Sequence, residues 1–362
     1  TKYAEGVLAI KYRTIDENGH VLGGPFYYIE NGMGKNWRWL GKIFAFFGAG
    51  VGLLGIGTFT QVNGITAAAG NFFDQNREHV INLFGNDYSI AVVITGIILT
   101  ICVALVVLGG IQRIASVSSV IVPFMAVFYI IACIAILVLN AARIPAAFAE
   151  IIQSAFGLRA AAGGALGAVL IAMQKGIARG IFSNEAGLGS APIAAAQTKE
   201  PARQGLVTMT GTFIDTIIVC TMTGLCIVLT GSHTAGLEGV AVTTRAFQMG
   251  LPVPAQFSAF LLMMCLIFFA FTTIIGWNYY GERCLEYLSN GSHGAVMAYR
   301  FLYILAIFIG PFMTVEAVWT IADIFNALMA LPNLIALLAL SGVVVAETKD
   351  YWTRILGDKI SK

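Results

Sequence analysis

Two stretches of this chain carry residues whose types and spacing suit ion or zwitterion chemistry inside apolar surroundings. The first, residues 163–192, reads GGALGAVLIAMQKGIARGIFSNEAGLGSAP. Lys175 and Arg179 stand one helical turn apart, Gly176 and Gly180 stand beside them, and Asn184 and Glu185 follow. An ionised group at the centre of a membrane helix costs about 2.5–3.5 kcal/mol. Glycine adds about 1 kcal/mol over alanine in a helix interior. The glycines fit a small-residue stripe for close helix approach, or a backbone break that frees amides and carbonyls for a ligand. Lys175 and Arg179 fit structural partners (Glu185, Asp215 or helix-end carbonyls) better than substrate, because a guanidinium in a pocket competes with a bound cation for the carboxylate. Asn184 and Glu185 suit a gate or a cap.

The second stretch, residues 268–287, is FFAFTTIIGWNYYGERCLEY. Neutral hydroxyls such as those of Thr272 and Thr273 suit sodium, a hard cation that takes oxygen ligands. The alternative is a bond from each hydroxyl back to a carbonyl one turn earlier. Trp277 shares the face of Thr273. Elsewhere, GVGLLGIGTFTQVN ends in Gln61 and Asn63. Gln61 offers a donor and an acceptor to a zwitterion, or else an interhelical hydrogen bond worth roughly 0.6 kcal/mol. For Asn63 the interhelical bond is the better reading. Asp215, one turn after Thr212, suits a second sodium ion or a pairing with Arg179.

These residues need a membrane scaffold. Of 362 residues, 58% are hydrophobic and 11% charged, and mean hydropathy is +0.81, whereas soluble domains carry about 25% charged residues. The chain is an all-α polytopic membrane protein. A net charge of +2 says nothing about nucleic acid, and with no basic tract no nucleic-acid partner is expected. The six cysteines lie in or beside apolar segments and read as small buried residues. No GxSxG or HExxH motif points to an enzyme, and no repeated pore loop points to a channel.

Apolar spans are expected at about 39–66, 89–109, 113–139, 163–195, 205–230, 256–283 and 296–312. A last region, 314–346, is expected to break at Pro332 into a half-helix and a closing span. Residues 145–157 and 242–249 read as short connecting helices. Residues 1–12 read as the last half of a membrane helix, since a full span needs about 20 residues; the natural chain is expected to begin earlier. With the 13–38 loop placed inside, fourteen Lys and Arg fall on the inner side, four on the outer and three within spans. That bias puts the C-terminus in the cytoplasm.

At ARGIFSNEAGLGSAPIAAA (178–196) the chain resembles the alanine/glycine:cation symporter family of prokaryotes. Further matches are GGPFYYIENG (23–32), GIGTFTQVN (55–63), VPFMAVFYI (122–130), MTGTFIDTIIVC (209–220), FFAFTTIIGWNYYGERCLEY and ALPNLIALLALSGVVVAETKDY (330–351). The resemblance implies one transporter domain over 1–362 in the prokaryotic plasma membrane. Its fold would be a leucine-transporter-like five-plus-five inverted repeat, incomplete at the N-terminus, lacking the first core helix and most of the second. Residues 13–139 would complete the first repeat, 163–346 form the second, and 347–362 a cytoplasmic tail. By the same resemblance 163–195 is a helix interrupted at Gly176 and Gly180, where the backbone meets substrate. Thr272 and Thr273 become sodium ligands, with Asp215 a candidate for a second ion. Trp277 walls a pocket for alanine or glycine, and Gln61 stays open between substrate binding and an interhelical bond. Na+ is then the coupling ion, with no organic cofactor. Proton coupling through Asp215 or Glu185 is the alternative.

Overall fold

In the computed structural model the described residues are 1–15, 21–76, 78–83, 85–109, 111–155, 165–195 and 198–360. The architecture is helical throughout, apart from two short antiparallel ribbons. Helix α1 (Lys2–Lys11) leads into ribbon β1 (Thr14–Ile15) and β2 (Val21–Leu22). Next come the single turn α2 (Pro25–Tyr28) and α3 (Arg38–Leu54), then α4 (Phe59–Phe73) and hairpin β3 (Val80–Leu83) and β4 (Asn86–Ser89). Two long apolar helices, α5 (Ile90–Val107) and α6 (Ile111–Leu139), precede the connecting helix α7 (Ile144–Ala155). The polar-laden stretch forms α8 (Ala165–Asn184) and the single turn α9 (Ala191–Ala194). Helix α10 (Pro201–Phe213) continues through a π-helical segment (Ile214–Cys220) into α11 (Thr221–Leu229). The connecting helix α12 (Val240–Gly250) is followed by α13 (Ala255–Leu288), α14 (His293–Ile309), α15 (Val315–Ala339) and α16 (Ser341–Ile360). Among the described residues, seven helical segments are long and apolar enough to cross a membrane.

Helix α13 is the axis of this arrangement. Its 34 residues reach about 50 Å at 1.5 Å per residue, more than the ~30 Å hydrocarbon core. Three buried clusters meet along it. One joins it to α1, α3 and α15 through Val7, Phe44, Trp277 and Met329. A second joins it to α4, α5 and α14 through Val62, Val103, Ile274 and Tyr303. A third joins it to α6, α11 and α12 through Cys133, Cys226, Phe247 and Cys265. The outer face of α5 is apolar and exposed at Ile94, Ile98, Ile101 and Leu105. That spacing of three and four makes one helical stripe, and lipid is the solvent that suits it.

Three expectations are corrected. The span expected at 39–66 lies within one membrane-crossing stretch, Lys35–Phe73, but it is built of two helices, because the chain leaves helical geometry at residues 55–58. Gly55 sits at φ −115°, ψ −124° and Thr58 at φ −130°, ψ −79°; the Thr58 hydroxyl bonds back to the Leu53 carbonyl at 2.6 Å. The break expected at Pro332 does not occur: α15 runs through it to Ala339. Pro332 is buried there, and its neighbour Asn333 is anchored on both sides of its amide. The third correction concerns α8 and is described with the site.

The face of the bundle carrying β3–β4 and α12 is called here the hairpin face, and the opposite end, with α16, the tail face. Asp74 closes α4 and ties the hairpin to it. Its carboxylate accepts from the Ser89 hydroxyl at 2.6 Å and the Glu78 amide at 2.9 Å. The Ser89 bond above all holds the Asp74 pKa below its ordinary value of 3.8. A depressed carboxylate pKa contributes stability at neutral pH that is lost as pH falls through the folded value. Hydrogen exchange should therefore find the hairpin amides protected until pH drops below 3.8. Asp74→Asn should abolish that acid step and weaken protection at neutral pH. Wild-type protection already lost above that value would count against the anchor.

Candidate functional site

Helix α8 is continuous through Gly176 and Gly180, which corrects the break expected there. A Cβ at either glycine would meet nothing within 4 Å, so neither serves as a close-packing contact. The backbone leaves the helix at residues 185–190 instead. Glu185, Gly187 and Gly189 all have positive φ, at 52°, 91° and 83°. The cause is an acceptor on another helix. The fully buried Glu5 of α1 takes the Gly187 and Gly189 amides on one carboxylate oxygen, at 3.0 and 3.1 Å. The same oxygen accepts from the Asn333 amide at 2.8 Å, and Asn333 also donates to the Gly187 carbonyl at 2.8 Å. The Tyr28 hydroxyl closes the network on the Asn333 side-chain carbonyl. Backbone groups that a straight helix would pair internally are thus satisfied by α1 and α15.

The cations and acids of the stretch are distributed around this unwound segment. Arg179 pairs with Asp323 of α15 rather than with Glu185 or Asp215. Its guanidinium carbon lies 4.3 Å from the Trp319 ring and 5.3 Å from the Phe182 ring. Those two rings are 4.8 Å apart. Asp215 sits in the π-helical segment and accepts from Ser183 at 2.6 Å. Asn184 accepts from Thr216 at 2.9 Å and donates to the Gly180 carbonyl at 3.2 Å. Lys175 is exposed. Glu185 takes the Trp277 indole N–H at 2.9 Å on one oxygen and the Ser190 hydroxyl on the other. Trp277, 1% exposed, therefore stands behind the unwound segment within the core.

A cavity of about 440 Å³ opens beside these elements, between α4, α8, α13 and α15 and beneath the α12 connection. Gln61, Asn71, Phe182, Phe269, Glu238 and Trp319 are on its wall. Of the residues the sequence singled out for substrate or ion, only Gln61 lines it. The Gln61 amide makes no hydrogen bond among the described residues, whereas Asn63 donates to the Met313 carbonyl, in the turn between α14 and α15, at 2.9 Å. Thr272 and Thr273 lie mid-helix on α13 and both donate to the carbonyl of Phe269, at 2.9 and 3.0 Å. Their protons are committed, but an oxygen that donates one proton keeps two lone pairs for a cation.

Sequence reasoning missed Glu5, Asn333 and Asp323. The signal for each was a lone polar residue in an apolar run, which in a membrane calls for a named partner.

A family model of the sodium:alanine symporters matches residues 1–360. An uncharacterised transporter of Haemophilus influenzae is 53% identical over 359 residues, which cover 98% of this chain and 74% of that one. The sodium/alanine symporter AgcS of Methanococcus maripaludis is 46% identical, over 97% of this chain and 74% of its own. A probable sodium/glutamine symporter, GlnT of Bacillus subtilis, is 37% identical over 97% and 69%.

Proposed function

Because the chain belongs to the sodium:alanine symporter family, we propose that it couples sodium entry to uptake of small neutral amino acids, alanine or glycine, by alternating access. The observation that carries this reading is the uncommitted Gln61 amide on the wall of a roomy cavity beside a broken helix. One amide can accept from the substrate ammonium and donate to its carboxylate. Thr272 and Thr273 are the proposed sodium ligands, one turn from the cavity residue Phe269. Gly176 and Gly180 lie within the continuous α8 and do not line the cavity. Trp277 acts through Glu185, holding the unwound segment. Asp215 stays a candidate for a second sodium, since Ser183 engages only one of its oxygens.

The proposed fold is the five-plus-five inverted repeat, with α8 and α9 as the interrupted first helix of the second half. The hairpin face is taken as external and the tail face as cytoplasmic, in a prokaryotic inner membrane. The support is the fourteen-to-four Lys and Arg bias. Phe182 and Trp319 stand on the cavity wall, with the Arg179–Asp323 pair packed against them. Each sodium moving inward across 100 mV contributes about 2.3 kcal/mol before its concentration gradient.

Proton coupling has one observation in its favour. The second carboxylate oxygen of Glu5 is buried without a hydrogen-bond partner among the described residues, and protonation there would remove a buried charge. Uptake of an amino-acid panel into proteoliposomes, with and without sodium at fixed pH, separates the two readings. Alanine uptake should vanish without sodium; uptake that persists would defeat sodium coupling. Gln61→Ala should raise KM about tenfold, the equivalent of one ~1.5 kcal/mol hydrogen bond. An unchanged KM would remove Gln61 from the site.

A further inference from the structure

The main cavity is not the only concave surface on the hairpin face. A second cavity, of about 260 Å³, lies between α4 and α12. Its polar wall is Asn71 from α4 and Gln75 from the turn that follows it, with Thr244, Arg245 and Gln248 from α12. A third, of about 310 Å³, lies between α4 and the hairpin and carries Asp74 and Asp87. Asn71 belongs to all three walls, so the cavities meet at one point on α4.

The charges of this vestibule are sorted. The carboxylates are Glu238 in the main cavity and Asp74 and Asp87 on the hairpin side. Among the described lining residues the cation is Arg245, on the opposite wall. Asp74 and Asp87 already accept hydrogen bonds, from Ser89 at 2.6 Å and from Asn82 at 2.8 Å. Arg245 makes no hydrogen bond or ion pair among the described residues. A guanidinium presents a planar fork of donors that matches a carboxylate bidentately. Asn71, Gln75, Thr244 and Gln248 surround it with neutral groups, which do not compete for it.

We propose that the α4–α12 cavity is an outer capture site for α-amino acids, in which Arg245 takes the substrate carboxylate before the molecule passes Asn71 into the main cavity. This rests on the transport reading and on the external placement of the hairpin face. The ammonium end then points across the vestibule towards the acidic wall. A free cationic side chain or a carboxylate-free amine meets Arg245 as a like charge, so the same residue filters substrates. In an exposed vestibule the pair is screened by salt within about 10 Å. Its effect falls on the rate of capture rather than on the depth of binding.

Initial-rate uptake in proteoliposomes tests this, with sodium held constant and ionic strength varied with choline chloride. At low ionic strength Arg245→Gln should raise KM for alanine roughly 3–10-fold with kcat unchanged, the range of modest electrostatic steering. The difference should close at high salt, and Arg245→Lys should keep most of the wild-type KM. Arg143→Gln removes an exposed arginine that lines none of these cavities, and it should behave as wild type. Wild type itself should show KM rising with ionic strength, a readout that needs no variant. An unchanged KM for Arg245→Gln, a fall in kcat instead, or an equal change in Arg143→Gln would each overturn the capture site. Loss of sodium-dependent uptake in wild type would overturn the transport reading instead, so the two failures are distinguishable.

Discussion

Glu5→Ala is expected to be among the most destabilising single substitutions in this protein, at about 3–5 kcal/mol. The carboxylate is fully buried, and one oxygen holds three donors: Gly187 and Gly189 amides and the Asn333 side chain. Alanine removes the acceptor and leaves all three donors in a space closed to water. Each stranded donor costs about 1–3 kcal/mol, and partial collapse of the segment keeps the total below their sum. The loss is concentrated on residues already held at positive φ, where the backbone persists only because its surroundings impose it. Glu5→Gln retains a carbonyl oxygen in the same place and should lose far less. Thermal unfolding in detergent of both variants would measure the gap. A Glu5→Ala protein as stable as Glu5→Gln would mean that the amides of the unwound segment find other acceptors. In proteoliposomes the alanine variant should also lose uptake, since α8 would no longer hold Arg179 against Asp323 and the Phe182–Trp319 pair.

That network also marks where sequence reading stops. The spans were legible because apolar runs are long and charged residues scarce, and α7 and α12 were legible from their amphipathic spacing. The glycine-rich stretch stood out correctly as a segment whose cost requires a cause. Where it unwinds was not legible. Gly176 and Gly180 look as breakable as Gly187 and Gly189 until an acceptor is known, and Glu5 lies 182 positions away from Gly187. The same holds for Arg179: two acids lie nearby in the chain, yet its partner is Asp323, 144 positions on. For Gln61, chemistry leaves the cavity and an interhelical bond level, because an amide in an apolar helix must face something polar and either satisfies it; only the fold puts it on the cavity wall. Trp277 could not be placed either. Its indole N–H is committed to Glu185 across two helices, and one-dimensional spacing shows which face a side chain shares but not what lies opposite.

The second break, at residues 55–58, is held by shape rather than by a buried charge, and Gly57→Ala is the substitution that separates the two causes. A Cβ at Gly57 would collide with the Gly52 carbonyl oxygen, and would sit 2.9 Å from the Gly52 Cα and 2.7 Å from the Trp277 Cβ. Two of these three neighbours are backbone and the third is the stem of a fully buried indole, so no side chain can rotate away. The Gly57 carbonyl is fixed as well, accepting from the Tyr303 hydroxyl at 2.7 Å, and Tyr303 also bonds the Ile274 carbonyl of α13. Overpacking of this kind typically costs 1–3 kcal/mol, and a backbone clash belongs at about the upper end. Gly211→Ala is the matched control: it lies inside α10 with nothing within 4 Å of the added methyl. It should gain up to about 1 kcal/mol from helix propensity alone. The functional consequence follows from position. Gln61 lies one turn past Gly57, at the start of α4, so displacing the break re-aims the amide that faces the cavity. Gly57→Ala should therefore raise KM even in whatever fraction folds, whereas Gly211→Ala should leave it unchanged. Wild-type melting and wild-type KM in Gly57→Ala would show that the approach of α3, α4 and α13 at this point has slack, and that Gln61 is oriented by something other than the break.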